Sequence, residues 1–211
     1  MRHYFKNTVS QWPLISGSPS SKSLDSEPPG LIDRLQDEKT KIYQEMVVKD
    51  AVARPGVIEL FDEIVSNPDV KVGVCSASTK SAVETVLTTV LGAERFGKLD
   101  VFIAGDDCSE KKPSPMVYNM ARDQIGVDQS NVLVIEDSLI GCKSGKAAGL
   151  KVLITYTDST ESEDFSSAGA DKVLKDLTGV TLSNLIDKAG KVNIDMGETG
   201  EEKLLNLLMS I

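Results

Sequence analysis

The sequence is poor in the residue types on which several enzyme classes depend. Among its 211 residues there is one histidine, His3, in a polar N-terminal stretch. A Ser-His-Asp triad or a histidine-based metal site is therefore nearly excluded. The three cysteines, Cys75, Cys108 and Cys142, are odd in number and far apart, without metal-ligand spacing. We expect them to be reduced thiols in a cytosol-like compartment.

Positive charge and long apolar runs are scarce as well. The chain carries 23 Lys and Arg against 32 Asp and Glu, a net charge of -9, which argues against nucleic acid or an anionic membrane as the main partner. No apolar run approaches the ~20 residues that span a bilayer, and the N-terminus does not resemble a signal peptide. A small phosphorylated ligand stays compatible, because it needs only a local positive patch and backbone donors.

The pattern along the chain predicts three parts. Residues 1–50 contain a loop rich in Ser, Pro and Gly at 16–30, followed by an amphipathic helix. Residues 51–190 alternate between strand-like and helix-like segments, and residues 191–211 are acidic and predict a tail or helix. The apolar positions that predict the first helix are Leu31, Leu35, Ile42 and Met46.

The middle part predicts an α/β fold. Short apolar runs alternate with helical segments of 10 to 13 residues, and this pattern is typical of βαβ units that build a parallel, helix-covered sheet. Ligands of such sheets bind outside the carboxyl ends of the strands. The predicted strands lie at 70–78, 99–107, 131–137, 151–156 and 169–174.

Three features at these strand ends suggest chemistry when they are taken together. Glu136 and Asp137 would suit Mg²⁺, although on this feature alone the favoured interpretation is that Asp137 or Ser138 caps the next helix. Lys112 before a proline is by itself usually a solvated charge, and Ser76 at a strand end is usually a turn residue. On one shared edge, however, a hydroxyl, a cation and two carboxylates form the set that phosphoryl transfer requires.

The sequence around these residues resembles a known family. The segments "VCSAS", "GDDCSEKKPSPMVYNMA" and "VLVIEDSLIGCKSGKAAGL" resemble the second, third and fourth motifs of the haloacid dehalogenase superfamily, in particular its CbbY-like sugar-phosphate phosphatases and β-phosphoglucomutase-like members. The stretch from 31 to 64 resembles the last cap helix and the return to the core in plant CbbY-like proteins. The resemblance covers roughly residues 1–190 and implies a Rossmann-like parallel sheet with part of a helical cap.

The resemblance also implies roles for individual residues. Ser76 would hydrogen-bond the transferring phosphoryl group, and Lys112 would neutralise charge between the nucleophile and the phosphate. Asp137, helped by Glu136, would hold Mg²⁺. The expected partner is a small phosphorylated sugar.

Weaker expectations concern a second phosphate contact and the compartment. The resemblance would place Ala77, Ser78 and Lys80 near a phosphate, although a solvated helix start is the more common explanation for Ser78 and Lys80. The sequence as written reads as that of a soluble cytoplasmic protein, whereas plant relatives of this family are often plastid proteins.

The chain departs from the family in one important respect. Family members begin with a strand that ends in Asp-x-Asp-Gly, in which the first aspartate is the nucleophile and the second the general acid and base. These 211 residues contain no Asp-x-Asp, and the adjacent pair Asp106-Asp107 is not a substitute. We therefore expect a truncated family member that is inactive alone and binds Mg²⁺ weakly or not at all. The alternative is a non-catalytic module that binds a phosphorylated ligand or regulates another protein.

Two further consequences follow from the missing motif and from the motif order. A receiver-type domain is disfavoured, because its acidic pair precedes its lysine, whereas here Lys112 precedes Glu136. In the family, the missing strand lies between the strands that end here at Ser76 and Glu136. Those two strands must pair with each other, leave exposed edges that permit self-association, or accept a strand from elsewhere. The segment 11–17 is an unfavourable donor because it contains Pro13.

Overall fold

The computed structural model describes residues 30–187 and 190–194 and the backbone of 207–209. The chain forms two compact units, residues 1–50 and 51–211. In the first unit, helix α1 (Leu31–Asp50) forms where the apolar period predicts it, although Ile42 and Met46 are exposed. That this unit is the remnant of a cap stays a prediction, and the segments 11–17 and 16–29 lie outside the described residues.

The second unit is an α/β structure, which confirms the predicted fold class. Each predicted strand is present and lies inside its predicted range. No helix in the described part of the chain is long and apolar enough to cross a membrane. The helices are α2 (Val57–Val65), α3 (Lys80–Val90), α4 (Ala93–Phe96), α5 (Met116–Ile125) and α6 (Leu139–Ala147), and the strands are β1 (Val72–Cys75), β2 (Val101–Ile103), β3 (Leu133–Glu136), β4 (Lys151–Thr155), β5 (Lys172–Leu174) and β6 (Leu207–Met209).

The six strands form one parallel sheet in the order β2-β1-β6-β3-β4-β5. Because successive side chains of a strand point to opposite faces, the residues of β3 divide between two cores. Leu133 and Ile135 pack in one core with residues of α2 and α3, whereas Val134 packs in the other with residues of α5 and α6. The sheet is therefore covered by helices on both faces, as its continuous apolar strands require.

Strand β6 corrects the prediction for the C-terminal segment. The acidic composition of 191–211 predicts a tail or helix, but Leu207–Met209 form a strand between β1 and β3. The physical reason is that three consecutive apolar residues suit the interior of a parallel sheet that is buried on both faces. The strands that end at Ser76 and Glu136 could pair with each other, leave exposed edges or accept a strand from elsewhere. The structure has the last of these arrangements, because β6 lies between β1 and β3.

Candidate functional site

Lys112 connects the carboxyl ends of two strands. It lies in the loop between β2 and α5, and its Nζ donates to the carbonyl oxygen of Cys75 at the end of β1, at 3.1 Å. The same Nζ lies 2.6 Å from Oε1 of Glu136 at the end of β3. The side chains of Lys112 and Glu136 are only 6% and 1% exposed. The structure thus brings these two predicted residues together as a buried ion pair.

The carboxylate of Glu136 accepts hydrogen bonds on both of its oxygens. Besides Lys112, the hydroxyl of the buried Tyr118 donates to Oε1 at 2.6 Å. Oε2 accepts from the backbone N–H of Asp137 at 3.2 Å and from the hydroxyl of Ser138 at 3.1 Å. Hydrogen bonds to an ionised group are stronger than neutral ones, so this carboxylate is held in one position. Its contacts make it the partner of Lys112; that it also holds a metal stays a prediction.

The helix that follows β3 is built around this carboxylate. Ser138 is the N-cap of α6, and its Oγ accepts from the N–H of Gly141 at 3.1 Å while it donates to Glu136. Of the two capping candidates, Ser138 is the one that the structure confirms. A Cβ atom at Gly141 would lie 1.8 Å from Cδ of Glu136. Glycine is therefore the residue that leaves room for the carboxylate beside the first helical turn.

Asp137 is in a different situation from its neighbour. It is half-buried, and its carboxylate interacts with a backbone N–H and with the charges of Arg54 and Lys112. Burial raises the pKa of Asp137, and the charge of Glu136 raises it further, while Arg54 and Lys112 lower it. A nearby cation would relieve this cost because it favours the ionised form.

Magnesium fits this carboxylate only as part of a larger ligand set. Mg²⁺ in proteins is often held by one or two carboxylates together with substrate phosphates, and Asp137 supplies one such group. No group of three or more His, Cys, Asp or Glu side chains able to hold a metal occurs in the described residues. Asp137 is therefore compatible with Mg²⁺ when phosphate oxygens complete the coordination.

Ser76 follows β1 and is buried at the same edge of the sheet. Its N–H donates to the carbonyl of Ile103 at 2.9 Å, which extends the pairing of β1 with β2. Its Oγ accepts from the N–H of Ser78 at 3.2 Å, and the carbonyl of Ser78 accepts from Gly105 at 2.7 Å. A Cβ atom on Gly105 would lie 2.3 Å from the carbonyl oxygen of Ala77. These contacts give the 76–78 turn a fixed shape, and its role toward phosphate stays a prediction.

Lys80 is held by the acidic pair that follows β2. Its Nζ lies 3.3 Å from Oδ1 of Asp107, and its backbone N–H donates to Oδ2 of Asp106 at 2.8 Å. A hydrogen bond from the N–H of Ala104 and the contact with Lys80 lower the pKa of Asp107, so this carboxylate is ionised at neutral pH. The charge of Lys80 is thus balanced locally, and its proposed contact with a second phosphate is not tested by the structure.

Sequence reasoning missed Tyr118, Gly141 and Arg54. Their only signals were a lone tyrosine among the apolar positions of α5, a glycine early in α6 and an arginine before a proline. The guanidinium of Arg54 donates to the carbonyl and hydroxyl oxygens of Thr155 at 2.7 and 3.0 Å and to the carbonyl of Lys175 at 2.8 Å. Arg54 thereby ties the last residue of β4 to the residue that follows β5, and its charge acts on Asp137 at the end of β3.

Comparison with known proteins gives consistent matches. The haloacid dehalogenase-like hydrolase family matches residues 14–155. A haloacid dehalogenase-like hydrolase domain-containing protein of Arabidopsis thaliana is 44% identical over 88% of this chain and 57% of its own length. Protein CbbY of Rhodobacter capsulatus is 32% identical over 64% of this chain and 59% of its own length.

The structural comparison agrees with the sequence comparison. The crystal structure of CbbY from Rhodobacter sphaeroides in complex with xylulose-(1,5)bisphosphate superposes with a TM-score of 0.68 at 28% identity, covering 80% of this chain and 72% of that one. Among curated relatives the first three are covered to 57%, 46% and 59% of their length. The chain thus spans about half the length of the curated relatives that it matches.

Proposed function

Because the chain belongs to the haloacid dehalogenase-like hydrolase family, we propose that it provides the phosphate-binding and charge-positioning residues of a sugar-phosphate phosphatase site. The observation that carries this proposal is the buried ion pair of Lys112 and Glu136 at the carboxyl edge of the sheet. Ser76 and Asp137 follow the ends of β1 and β3 on the same edge. A hydroxyl donor, a cation and a carboxylate that can share Mg²⁺ with a phosphate are the groups that such a site needs.

The proposed substrate class is a phosphorylated sugar, and the relatives support it. A validoxylamine A 7'-phosphate phosphatase of Streptomyces hygroscopicus is 37% identical over 131 residues. Two 2-deoxyglucose-6-phosphate phosphatases of Saccharomyces cerevisiae are 37% identical over 106 residues. Two of these names describe phosphatases of a phosphorylated sugar and the first describes a phosphatase of another phosphate ester, so we propose a phosphorylated sugar as the ligand class of this chain.

In the proposed mechanism, each residue has a limited task. The ion pair with Glu136 holds the amino group of Lys112 at the end of β1. Ser76 is the next residue of the chain after Cys75, and its hydroxyl would donate to a phosphoryl oxygen. Asp137 would hold Mg²⁺, which supplies positive charge to the phosphate when it is bound. Absence of a nucleophile should remove most of the rate enhancement, on the order of 10⁴-fold or more by analogy with other deletions of a nucleophile. These 211 residues would therefore bind a sugar phosphate without hydrolysing it.

The first test is a turnover assay with p-nitrophenyl phosphate and Mg²⁺. We expect no hydrolysis above the rate of a buffer blank, because the 211 residues contain no Asp-x-Asp. Robust Mg²⁺-dependent hydrolysis that disappears in the Asp137→Ala variant would contradict this expectation. It would mean that another group of the chain acts as the nucleophile.

The second test is binding of 2-deoxyglucose 6-phosphate, measured by isothermal titration calorimetry with and without Mg²⁺. Binding that is lost in Lys112→Met supports the proposed site. The matched control is Lys71→Met. Lys71 forms a surface ion pair with Asp100 and directly precedes β1, so it lies at the amino ends of the strands, away from the proposed site. Equal loss in both variants would indicate a non-specific charge effect and would argue against the site.

Transcript sequencing, combined with the binding assay, separates the proposed phosphatase from a non-catalytic module. Sequencing of the transcript upstream of the Met1 codon shows whether a strand followed by Asp-x-Asp-Gly is encoded there. If it is encoded, the phosphatase assignment is strengthened for the longer product. If it is absent and the chain still binds the sugar phosphate, the module that binds a phosphorylated ligand is the better description.

A further inference from the structure

The most unusual feature of the fold is the position of β6 inside the sheet. We use the term strand slot for the space between β1 and β3 that Leu207–Met209 occupy. In the parallel register, Leu208 is opposite Gly73 on one side and Val134 on the other. In the described part of the sheet, β6 is the element that joins the pair β2-β1 to the trio β3-β4-β5.

The strand slot cannot remain empty without a large cost. The residues that border it, including Val72, Val74, Leu133 and Val134, are at most 1% exposed. Each buried backbone group that loses its hydrogen-bond partner costs about 1–3 kcal/mol. Because adjacent strands lie about 4.7–4.9 Å apart, β1 and β3 are separated by two spacings and cannot pair unless half of the sheet moves.

The slot also restricts the chemistry of its occupant. The occupant must run parallel to both neighbours, and the residues bordering it on β1 and β3 are buried. Central strands of such sheets are apolar throughout, and proline is excluded because it lacks the N–H needed for the ladder. The sequence Leu-Leu-Met meets these conditions, whereas Glu201, Glu202 and Lys203 a few residues earlier do not.

We propose that the strand slot is a binding site for an extended apolar peptide, and that its occupant is the chain's own segment 207–209. The described residues of this segment pair with β1 and β3 through three backbone register positions on each side, which an identical peptide can form as well. A peptide of the same sequence supplied in trans is therefore a competent occupant when the segment in cis is disabled. The proposal does not depend on the proposed phosphatase function.

The test uses the full chain with Leu208→Asp. Hydrogen exchange, read by mass spectrometry, is followed in β1 and β3 before and after addition of a synthetic peptide of residues 203–211. We expect the substitution to speed exchange in both strands by about tenfold or more, since a charge replaces an apolar residue whose register partners Gly73 and Val134 are buried, and the ladder opens. Added peptide of native sequence restores the slow exchange, and a peptide that carries Leu208→Asp does not.

The matched control is Val52→Asp, which adds the same charge in place of an apolar residue that is 82% exposed. We expect its exchange in β1 and β3 to equal that of the parent chain. If the Leu208→Asp chain fails to fold, recovery of its circular dichroism by the native peptide replaces the exchange measurement. Unchanged protection in the Leu208→Asp chain, or no recovery with native peptide, would overturn the proposal. Protection in the parent chain that depends on its concentration would assign the occupant to a second copy and would overturn the assignment in cis.

Discussion

Gly141→Ala tests whether the first turn of α6 is shaped by the buried carboxylate of Glu136. In most helices this substitution is stabilising, because alanine has a helix propensity about 1 kcal/mol better than that of glycine. Here the added Cβ would lie 1.9 and 2.0 Å from the two carboxylate oxygens. Real Cβ atoms essentially never approach closer than 3.0 Å, so the carboxylate must move by about 1 Å or the helix must shift.

The magnitude follows from the contacts that such a movement would break. Oε1 of Glu136 accepts from Lys112 and from Tyr118, each at 2.6 Å. Hydrogen bonds to charged groups contribute about 1.5–3 kcal/mol each, and disruption of a buried ion pair costs about 3–5 kcal/mol. After the gain in helix propensity, the expected loss is about 2–4 kcal/mol. For a chain of this size each kcal/mol lowers the melting temperature by about 2–4 °C.

Urea denaturation followed by circular dichroism measures this loss. The control is Gly97→Ala, because Gly97 has a φ of -67° and a Cβ there would be 3.4 Å from the carbonyl of Ala93. We expect the free energy of unfolding of the Gly97→Ala chain to lie within about 0.5 kcal/mol of that of the parent chain. In a Glu136→Ala background, Gly141→Ala should no longer destabilise, since the clashing atoms are gone. A Gly141→Ala chain as stable as the parent would refute the role of the carboxylate.

Three further expectations concern Tyr118 and Asp137 near the carboxyl ends of the strands and the thiol groups of the cysteines. Tyr118→Phe keeps the ring but removes one donor to Glu136, so the free energy of unfolding by urea should fall by about 1.5–3 kcal/mol, and an unchanged value would contradict the hydrogen bond. Burial and the charge of Glu136 raise the pKa of Asp137 above its ordinary value of 3.8. Ionisation of Asp137 therefore destabilises the fold: this destabilisation is absent below pH 3.8 and complete above the raised pKa. Asp137→Asn should therefore raise the melting temperature at pH 7, and the gain should shrink as the pH falls toward 3.8; a gain independent of pH would exclude titration as its cause. Burial raises the pKa of Cys75 to about 12, so iodoacetamide at pH 8 should alkylate the half-buried Cys108 first, as read by peptide mass spectrometry, and preferential labelling of Cys75 would contradict the burial.

Much of the sheet could be predicted from sequence because its strands are short apolar runs with clear ends. The run before Ser76 and the run before Asp137 each stop at a polar residue, and parallel strands bring such ends to one edge. Proximity of Lys112 to this edge therefore followed from chain order alone. The ion pair of Lys112 with Glu136 could not be predicted from the sequence. The hydrophobic pattern indicates where the backbone lies, but it leaves the direction of a long side chain open.

Strand β6 could not be predicted for a different reason. The run "LLNLLM" places leucines at spacings of three and four residues, which suit a helix as well as a strand. The structure that decides between them is the strand slot, whose walls are β1 and β3, far away in the sequence. Tertiary context of this kind overrides local preference, and Tyr118 was missed for the same reason, since its partner belongs to another element.

The late position of β6 in the sequence has a consequence for biosynthesis. The other five strands leave the ribosome earlier, at roughly 5–20 residues per second, and during that interval β1 and β3 present unpaired inner edges. Such edges favour association with other nascent chains and recognition by chaperones. Cooperative folding of the sheet must wait for β6 to be translated. A premature stop codon between the end of β5 and Leu207 would leave all of the residues at the candidate site but none of the strand that joins the two halves of the sheet.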